Sequence, residues 1–546
     1  MGCAVVKHQK FGAAENVGHS RLRPTLSWLW VSSAAAPFLV AAIVYAATGH
    51  LVLGGDQALL ALDATDARHG NQTLGPYSRM GWSHPGPIWL YLLAPTFWLL
   101  GSTGSALVAA SLLVHALFAG LLVAAAGREH RWQQPLMAGV VLLYALRMPA
   151  DLFAIVWNPY ALLLPALLLL VLAARATAGH IPALGGTVAV GTFLVHSHVG
   201  SVPLVGAVGA VAVLGAIIQW RRADLQSGGR RGRWLTGAAL LVTAAMWAAP
   251  VWQQLRPAGR GNLAWLADYF IHGDPNAADQ TTYGWVEAIT AVGQLLGIPV
   301  YGWSAAAGEL DTSRLTLLVL LAVAAQLVGS VALIIIGRRL RTPLPAIGLI
   351  TAASTVAALV AAKMVTGEMQ NYLLIWATIL PAALMYGWLL LAAQALSLGR
   401  RRRWPDAAAV VAALVGGVIV SVSLINGTFT LRDQPGVHAA SRLALKALPV
   451  AGADGPTVFL NIASPEAWPT STGVALELEQ AGYRVAVNES WVKLFGRDRA
   501  TDGTETWRVT VVAAWWAPQM PFGPVLGTVP METGEDAAII VNRVGA

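Results

Sequence analysis

Between residues 28 and 424 the chain alternates long apolar segments with short polar connections, and this pattern constrains its fold more than any other feature. A helix needs about 20 mostly apolar residues to cross the hydrocarbon core of a bilayer. By that measure the sequence predicts eleven transmembrane helices, at 28–48, 104–126, 136–150, 157–174, 184–200, 203–219, 234–252, 315–336, 345–362, 372–397 and 406–424. Only 11% of the residues are charged, whereas soluble domains are about a quarter charged. We therefore predict an all-α polytopic membrane domain over residues 28–424.

The basic residues predict the orientation of this domain. The net charge is +8, and the positive charge is clustered in short runs between apolar segments, which excludes nucleic acid as the expected partner. If residues 1–27 are a cytoplasmic tail, 19 basic residues fall on the cytoplasmic side and 7 on the other side of the membrane domain. Cytoplasmic connections are enriched in Lys and Arg. We expect a multi-pass protein of the plasma membrane with a cytoplasmic N-terminus. One cysteine, Cys3, excludes internal disulfides.

Residues 54–101 form the predicted first extracytoplasmic loop. Its first part, GGDQALLALDATDARHGNQTLGPYSRMGWSHPGP, concentrates charged and histidine side chains in an otherwise apolar region. Its second part, GPIWLYLLAPTFWLLG, is apolar but has only 16 residues, which is short for a span. We expect this part to lie flat on the outer surface as an interfacial helix, with Trp89, Tyr91 and Trp98 at the interface. A second apolar stretch, 284–303, is expected on the same side, inside a loop from 253 to 314.

The segment 425–546 is predicted to be a small extracytoplasmic α/β domain, because its pattern changes from continuous apolar runs to short alternating ones. TVFLNIA, RVAVN and RVTVVAAWW are expected strands, and STGVALELEQAGY is an expected helix. We expect this domain to assist binding rather than chemistry, since it is distant in sequence from the first loop. No GxGxxG, Walker A, zinc-spaced Cys/His or Gly-x-Ser-x-Gly motif occurs in the chain.

The first loop resembles the GT-C superfamily of membrane glycosyltransferases. The resemblance is carried by GGDQALLALDATDARHG and GWSHPGPIWLYLLAPTFWLLG, in which an acid follows the first span and a His-Pro step enters an interfacial helix. It is strongest to the branch with the bacterial aminoarabinose transferase of lipid A and the protein O-mannosyltransferases, and it covers residues 28–220. WNPYALLLPALLLL and HSHVGSVPLV are also similar to a group of uncharacterised actinobacterial membrane proteins. The resemblance implies a GT-C fold with juxtamembrane helices in the first loop.

Asp56 matches the loop acid of that superfamily, and the resemblance implies that it is a catalytic general base. An alcohol is a poor nucleophile, so a carboxylate within hydrogen-bond reach must take its proton. The alternative is that Asp56, which follows two glycines, caps the helix that begins there. Many relatives have a Glu where this chain has Gln57, so a second carboxylate at that place is missing.

Asp63 and Asp66 follow Asp56 by seven and ten residues, so on a helix all three lie near one face. The simpler interpretation is that Asp63 and Asp66 are charges on a solvated face. The alternative is that Asp63 contributes to substrate binding. DATD does not have the spacing of a DxD metal motif, so we predict no obligatory metal or other cofactor. No sequence motif supports a divalent metal.

A leaving lipid phosphate needs cations or hydrogen-bond donors where its negative charge develops. By the resemblance, His84 stands at the place of a basic residue before a Pro. His196 and His198 stand at the place of a Lys-Gly step at the outer end of the fifth span, and His198 is the better match. Arg79 and Arg260 are candidates for a fixed positive charge at the donor phosphate. The alternative is that the histidines cap spans and the arginines contact lipid headgroups.

The remaining candidates for binding sugar or phosphate lie in two other outer connections. Asp151 and Asn158 fall in RMPADLFAIVWNPY, and Glu368 and Tyr372 fall in KMVTGEMQNY together with Lys363. Relatives often have an acidic residue before a Pro at the position of Asn158, so this chain departs from the family there.

The resemblance therefore implies an inverting glycosyltransferase. It would move a sugar from a polyprenyl-phosphate donor to an envelope glycan, lipid or protein at the outer membrane face. A transporter or flippase of a lipid-linked saccharide is the rival hypothesis, and it would place polar residues at mid-span. Here the polar residues gather at the outer ends. A non-catalytic membrane scaffold is the third hypothesis, because of Gln57 and Asn158. The sequence identifies neither sugar nor acceptor; a pentose or mannose of an actinobacterial cell wall would be an analogy.

Overall fold

The membrane region is a bundle of helices. The computed structural model describes residues 24–78, 80–222, 225–256, 260–273, 282–301, 310–340, 342, 344–399, 406–451, 456–521 and 523–544. Within these ranges the helices up to residue 428 are α1 (Pro24–Thr48), α2 (Gly55–Arg68), α3 (Ile88–Leu99), α4 (Gly104–Ala125), α5 (Gln133–Arg147), α6 (Asp151–Ala154), α7 (Leu163–Thr177), α8 (Ile181–Ser197), α9 (Val202–Arg221), α10 (Gly229–Leu255), α11 (Asn262–His272), α12 (Trp285–Tyr301), α13 (Leu317–Arg339), α14 (Leu344–Lys363), α15 (Leu380–Gly399) and α16 (Asp406–Thr428). A 3-10 helix, Asn371–Ile379, leads directly into α15.

All eleven predicted spans coincide with helices. In the described part of the chain, nine helices are long and apolar enough to cross a membrane. The other two predicted spans correspond to α5 and α8, which have 15 and 17 residues. The prediction of an all-α polytopic membrane domain is confirmed, and the chain is a multi-pass membrane protein.

The first loop forms two short helices, α2 and α3, between the spans α1 and α4. Helix α3 has 12 residues, about 18 Å at 1.5 Å per residue, and cannot cross a core of about 30 Å. One expectation for α3 is wrong. The Trp89 ring does not face an interface but is completely buried, and its indole N–H donates to the Val156 carbonyl at 2.9 Å. Trp98 is 46% exposed.

The C-terminal domain contains the predicted strands and helix, with further elements around them. Its elements are α17 (Val437–Ala447), β1 (Thr457–Ile462), α18 (Trp468–Gln480), β2 (Arg484–Ala486), α19 (Glu489–Phe495), β3 (Trp507–Ala513), β4 (Val525–Pro530) and β5 (Asp536–Arg543). The sheet order is β2-β1-β3-β5-β4; the first three strands are parallel, and β5 is antiparallel to both of its neighbours. The small C-terminal α/β domain is thus confirmed as a fold.

The C-terminal domain is bonded to the same end of the bundle as the first loop. The backbone of Val52 donates to Asp433 Oδ1 at 2.7 Å and accepts from the Gln434 N–H at 2.9 Å. Gln480 Nε2 donates to the Ser102 carbonyl at 2.7 Å. The segments at 52, 102 and 433 therefore meet at one end of the bundle, which fits the predicted arrangement in which the first loop and the C-terminal domain lie on one side of the membrane.

Candidate active site

The main cavity lies under helix α2, where the first loop meets the ends of the bundle helices. Its volume is about 810 Å³, within the range of small-molecule sites. Six of the predicted site residues line it: Asp56, Asp63, His84, Asn158, His198 and Tyr372. These residues come from α2, the loop that follows it and three other connections between helices, so the fold brings together side chains more than 300 residues apart.

Helix α2 begins at Gly55, one residue before Asp56. Its N-cap is Gly54, and no side chain caps it. The capping interpretation of Asp56 is therefore wrong. Gly55 has φ +53°, in the left-handed region that favours glycine, so the chain can turn sharply into the helix. Asp56 then sits in the first helical turn, where the helix dipole stabilises a carboxylate.

Asp56 is held by a tyrosine that the sequence did not identify. The hydroxyl of Tyr77 donates a hydrogen bond to Oδ1 of Asp56. Burial raises the pKa of Asp56, and this hydrogen bond opposes the rise. Burial and the neighbouring Asp56 raise the pKa of Tyr77, so its hydroxyl keeps the proton that it donates. In the Asp56–Tyr77 pair, the carboxylate of Asp56 therefore has a pKa above its ordinary value.

A small hairpin connects Tyr77 to His84. Ser78 N–H donates to the Trp82 carbonyl at 2.9 Å, and His84 N–H donates to the Pro76 carbonyl at 2.8 Å. The side chain of Asn262, from α11, bonds both backbone groups of Ser83, at 2.9 and 2.8 Å. The hairpin is thereby fixed to the bundle, and it holds the partner of Asp56 and His84 in one rigid unit.

His84 and His198 form a pair at the cavity wall, with ring centroids 4.7 Å apart. Val199 N–H donates to His84 Nδ1 at 3.1 Å, and Gly200 N–H donates to His198 Nδ1 at 3.2 Å. A nitrogen that accepts a hydrogen bond carries no proton, so each neutral ring has its proton on Nε2. Burial, and secondarily His198, lower the pKa of His84 well below its ordinary value. The pair therefore offers two neutral N–H donors.

Asp63 and Asp66 are not charges on a solvated face, and that interpretation is wrong for both. Asp63 lines the main cavity, seven residues after Asp56 on the same helix. Burial and the charge of Asp66 raise the pKa of Asp63 to about 8, although the charge of Arg499 lowers it. Asp66 forms an ion pair with Arg499 of the C-terminal domain, Oδ2 to an arginine nitrogen at 2.7 Å.

Aromatic rings form much of the remaining cavity wall. Trp157 and Tyr372 are 4.5 Å apart between ring centroids, and Trp82 and Tyr269 are 5.7 Å apart. All four line the cavity, together with Phe270 and Lys363. Tyr372 is the one residue among these aromatic residues that the sequence predicted. The others were missed because a lone aromatic residue in a connection between helices has no spacing signal. Lys363 is exposed, with Nζ 5.6 Å from the Trp285 ring centroid.

Asn158 lines the cavity, but its side chain also has a structural partner. Its Nδ2 donates to the Ser197 carbonyl at 2.7 Å. This bond ties the loop before α7 to the end of α8, where His198 follows. Asn158 therefore helps to position the histidine pair.

Four predicted site residues are not brought to the main cavity. His196 is fully buried, with its ring 4.6 Å from that of Trp247. Asp151 begins the short helix α6, and burial raises its pKa. Arg260 forms an ion pair with Asp268 at 3.0 Å, and Glu368 is exposed and accepts from Gln370 Nε2 at 2.9 Å. The remaining candidate, Arg79, lies outside the described residues.

A second cavity, of about 430 Å³, lies at the other end of the bundle. Arg175 and Glu129 form an ion pair at its wall, with a nitrogen–oxygen distance of 2.7 Å. No predicted site residue lines it. In the described ranges, no group of three or more His, Cys, Asp or Glu side chains is arranged to hold a metal ion. The prediction that no metal is obligatory stays a prediction.

The fold and the cavity define a polytopic membrane protein with a GT-C fold, in which a loop carboxylate after the first span faces a cavity at one end of the bundle. The chain is similar to the crystal structure of ArnT from Cupriavidus metallidurans in the apo state, with a TM-score of 0.51 and 11% identity over 95% of this chain and 98% of that one. It is also similar to ArnT from the same organism bound to undecaprenyl phosphate, with a TM-score of 0.48 and 12% identity over 96% and 99%. No family model and no curated protein sequence matches the chain. At 11% identity the similarity to the apo structure shows the fold alone, and the predicted GT-C fold is confirmed.

Proposed function

We propose that this protein is a glycosyltransferase that moves a sugar from a polyprenyl-phosphate donor to an acceptor hydroxyl, with inversion at the anomeric carbon. One observation carries the proposal. A carboxylate with a raised pKa, Asp56, lines the same 810 Å³ cavity as the paired neutral N–H donors of His84 and His198. Sugar transfer needs these two functions together, a base for the acceptor and donors for the leaving phosphate.

In the proposed reaction the acceptor oxygen attacks the anomeric carbon as the bond from that carbon to the phosphate oxygen breaks. Asp56 takes the proton of the acceptor hydroxyl, and the electron pair of the breaking bond goes to the phosphate. The products are the glycoside, polyprenyl phosphate and a protonated Asp56. Burial supports this role, because a base works best when its pKa lies near the working pH.

The leaving phosphate would be stabilised by the Nε2–H groups of His84 and His198, whose Nδ1 atoms are already occupied by backbone N–H groups. Lys363, at the edge of the same cavity, would add positive charge. The aromatic wall formed by Trp157, Tyr372, Trp82 and Tyr269 offers flat apolar faces for a sugar ring and the first isoprene units. No obligatory metal enters this scheme, and the distribution of basic residues supports a cavity on the outer face.

The test uses the purified full-length protein in lipid vesicles with a panel of polyprenyl-phosphate sugars that includes mannose, glucose, arabinose and aminoarabinose. Release of polyprenyl phosphate is measured with and without envelope extracts, and with a chelator present. We expect release with one donor, unaffected by the chelator. We expect Asp56→Asn to lower turnover roughly 100- to 10,000-fold, the usual contribution of a positioned base.

The matched control is Asp498→Asn, because Asp498 is an exposed carboxylate in the C-terminal domain. Donor binding by Asp56→Asn should equal that of the wild type. Movement of an intact donor across the vesicle membrane, without release of polyprenyl phosphate, would support the flippase hypothesis instead. An Asp56→Asn protein with normal turnover would remove Asp56 from the mechanism.

A further inference from the structure

Arg499 joins the C-terminal domain to the helix that carries Asp56. It lies in a 3-10 turn, Arg497–Arg499, and its side chain is only 6% exposed. Its guanidinium binds two carboxylates with two bonds each: to Asp66 at 2.7 and 3.1 Å, and to Glu479 at 2.7 and 2.9 Å. It also donates to the Phe495 carbonyl at 2.9 Å. A planar guanidinium with two forked partners fixes direction as well as distance.

The ion pair with Asp66 is at one end of α2, and a second contact with the C-terminal domain is at the other. Asp66 lies in the last turn of α2, three residues after Asp63. At the first turn, a methyl group added at Gly54 would come within 2.2 Å of Gln434 Cγ, and one added at Gly55 would lie 3.6 Å from the Trp468 ring. Both ends of α2 are therefore held by the C-terminal domain.

We propose that Arg499 is a positioning residue for the main cavity. Its ion pair with Asp66 fixes the position of α2 at the cavity wall, and its positive charge favours the charged form of Asp63. The inference rests on the proposed function only where it concerns turnover. The part that concerns the charge on Asp63 is a property of the folded protein and needs no substrate.

The groups that act on Asp63 come from several elements. Asp66 is on the same helix, and Arg499 comes from the C-terminal domain. Tyr77, from the hairpin, is neutral, and the charge of Asp63 contributes to the rise of its pKa. Glu479, on α18, binds Arg499 and so reduces its net effect. Lys493, on α19, stacks over the Trp265 ring at 5.6 Å. Helix α3, which packs on α2, carries no charged residue.

The charges of Arg499 and Asp66 have opposite effects on the pKa of Asp63, so a comparison of substitutions at the two positions tests the inference. The charge of Arg499 lowers the pKa of Asp63, while that of Asp66 raises it. Arg499→Met should therefore move the pKa of Asp63 upwards from about 8, and Asp66→Asn should move it downwards. Glu479 still holds Arg499 in the Asp66→Asn protein. Both substitutions break the same ion pair. If that ion pair only stabilised the fold, the two substitutions should change the titration of Asp63 in the same way.

The first experiment measures thermal unfolding of the full-length protein in detergent from pH 5 to 10. Each variant is compared with the same variant that also carries Asp63→Asn, so that only the titration of Asp63 remains in the difference. The difference in unfolding temperature within each pair should change with pH up to the pKa of Asp63 in the folded protein and then become constant. We expect the pH at which it becomes constant to be higher than in the wild type for Arg499→Met and lower for Asp66→Asn. Displacement in the same direction in both, or in neither, would overturn the inference.

The second experiment measures turnover and donor KM. A displaced α2 would misplace Asp56, and small misplacements of a catalytic group lower kcat by roughly 10- to 100-fold. We expect a loss of this size in Arg499→Met, with an unchanged donor KM. Arg484→Met, at an exposed arginine of the same domain, is the control and should match the wild type.

If Arg499→Met does not fold, Arg499→Lys is the second variant, because it retains the charge. It should lower kcat without moving the titration of Asp63. An unchanged kcat in a folded Arg499→Met protein would refute the positioning role, while the unfolding experiment remains valid even if no donor is found.

Discussion

Oδ1 of Asp56 accepts its hydrogen bond from the hydroxyl of Tyr77, a residue 21 positions further along the chain. The bond favours the charged form of the carboxylate and so opposes the effect of burial on its pKa.

Tyr77→Phe removes this bond and should raise the pKa of Asp56. A hydrogen bond to a charged group contributes about 1.5–3 kcal/mol, equivalent to roughly one to two pKa units. A base is active only when deprotonated, so the acidic limb of the pH profile of turnover should move up by about that amount. Activity near pH 9 should change little.

Tyr91→Phe is the control for that experiment, because Tyr91 bonds the Gln72 carbonyl and does not line the main cavity. An acidic limb that stays where it is in Tyr77→Phe would mean that Asp56 is not the titrating base.

Asp63 should make the folded protein less stable as the pH rises. Its pKa is about 8 in the folded state and ordinary in the unfolded state, so between about pH 4 and 8 only the folded state holds the proton. Stability therefore falls across this range in the wild type, whereas Asp63→Asn lacks the titrating group. The melting temperature of Asp63→Asn should exceed that of the wild type by several degrees at pH 8.5 and approach it at pH 5. A constant difference across the range would show that Asp63 is not buried as a neutral acid.

The histidine pair should bind phosphate as a neutral hydrogen-bond donor. His84→Phe or His198→Phe removes one N–H group and should weaken binding of polyprenyl phosphate by roughly 10- to 100-fold, the effect of one hydrogen bond to a charged group. Affinity in the wild type should stay nearly constant between pH 6 and 8, because the pKa of His84 lies well below that range. Quenching of cavity tryptophan fluorescence measures both quantities.

His69→Phe, at an exposed histidine after α2, is the comparison for the pair. A steep loss of affinity above pH 6.5 would instead indicate a protonated imidazole at the phosphate.

The bond from Gln480 to Ser102 requires these two segments to share one side of the membrane. In a Cys3→Ser background, cysteines introduced at Ser102 and at exposed Ala481 should both react with an impermeant maleimide applied to intact cells. A cysteine at Ser227, in a basic connection, should react only after the membrane is opened. Labelling of Ser102→Cys without labelling of Ala481→Cys would contradict both the hydrogen bond and the topology.

The features predicted correctly from the sequence are local ones. The length of an apolar segment depends on adjacent residues, so all eleven predicted spans coincide with helices, and the short segment at 86–101 contains a helix of only 12 residues. Asp56 and His84 were selected as candidates because they lie in a contiguous stretch with a family pattern, and both line the main cavity.

The features that were missed depend on residues far apart in the chain. The spacing on α2 predicted one face for Asp56 and Asp63, but whether that face meets solvent or a cavity is decided by the hairpin around Tyr77 and by α11. The partner of Asp66 is Arg499, in a turn with no motif. Strands β4 and β5 also went unpredicted.

The separation of Asp66 and Arg499 by 433 residues affects how the protein is made. Helix α2 is synthesised 433 residues before the guanidinium that binds Asp66, so the charge of Asp66 stays uncompensated through that length of translation. A nascent chain that stops before Arg499 lacks this bond to α2. Contacts so distant in sequence form slowly, and the docking of the C-terminal domain on α2 is therefore the expected late step of maturation.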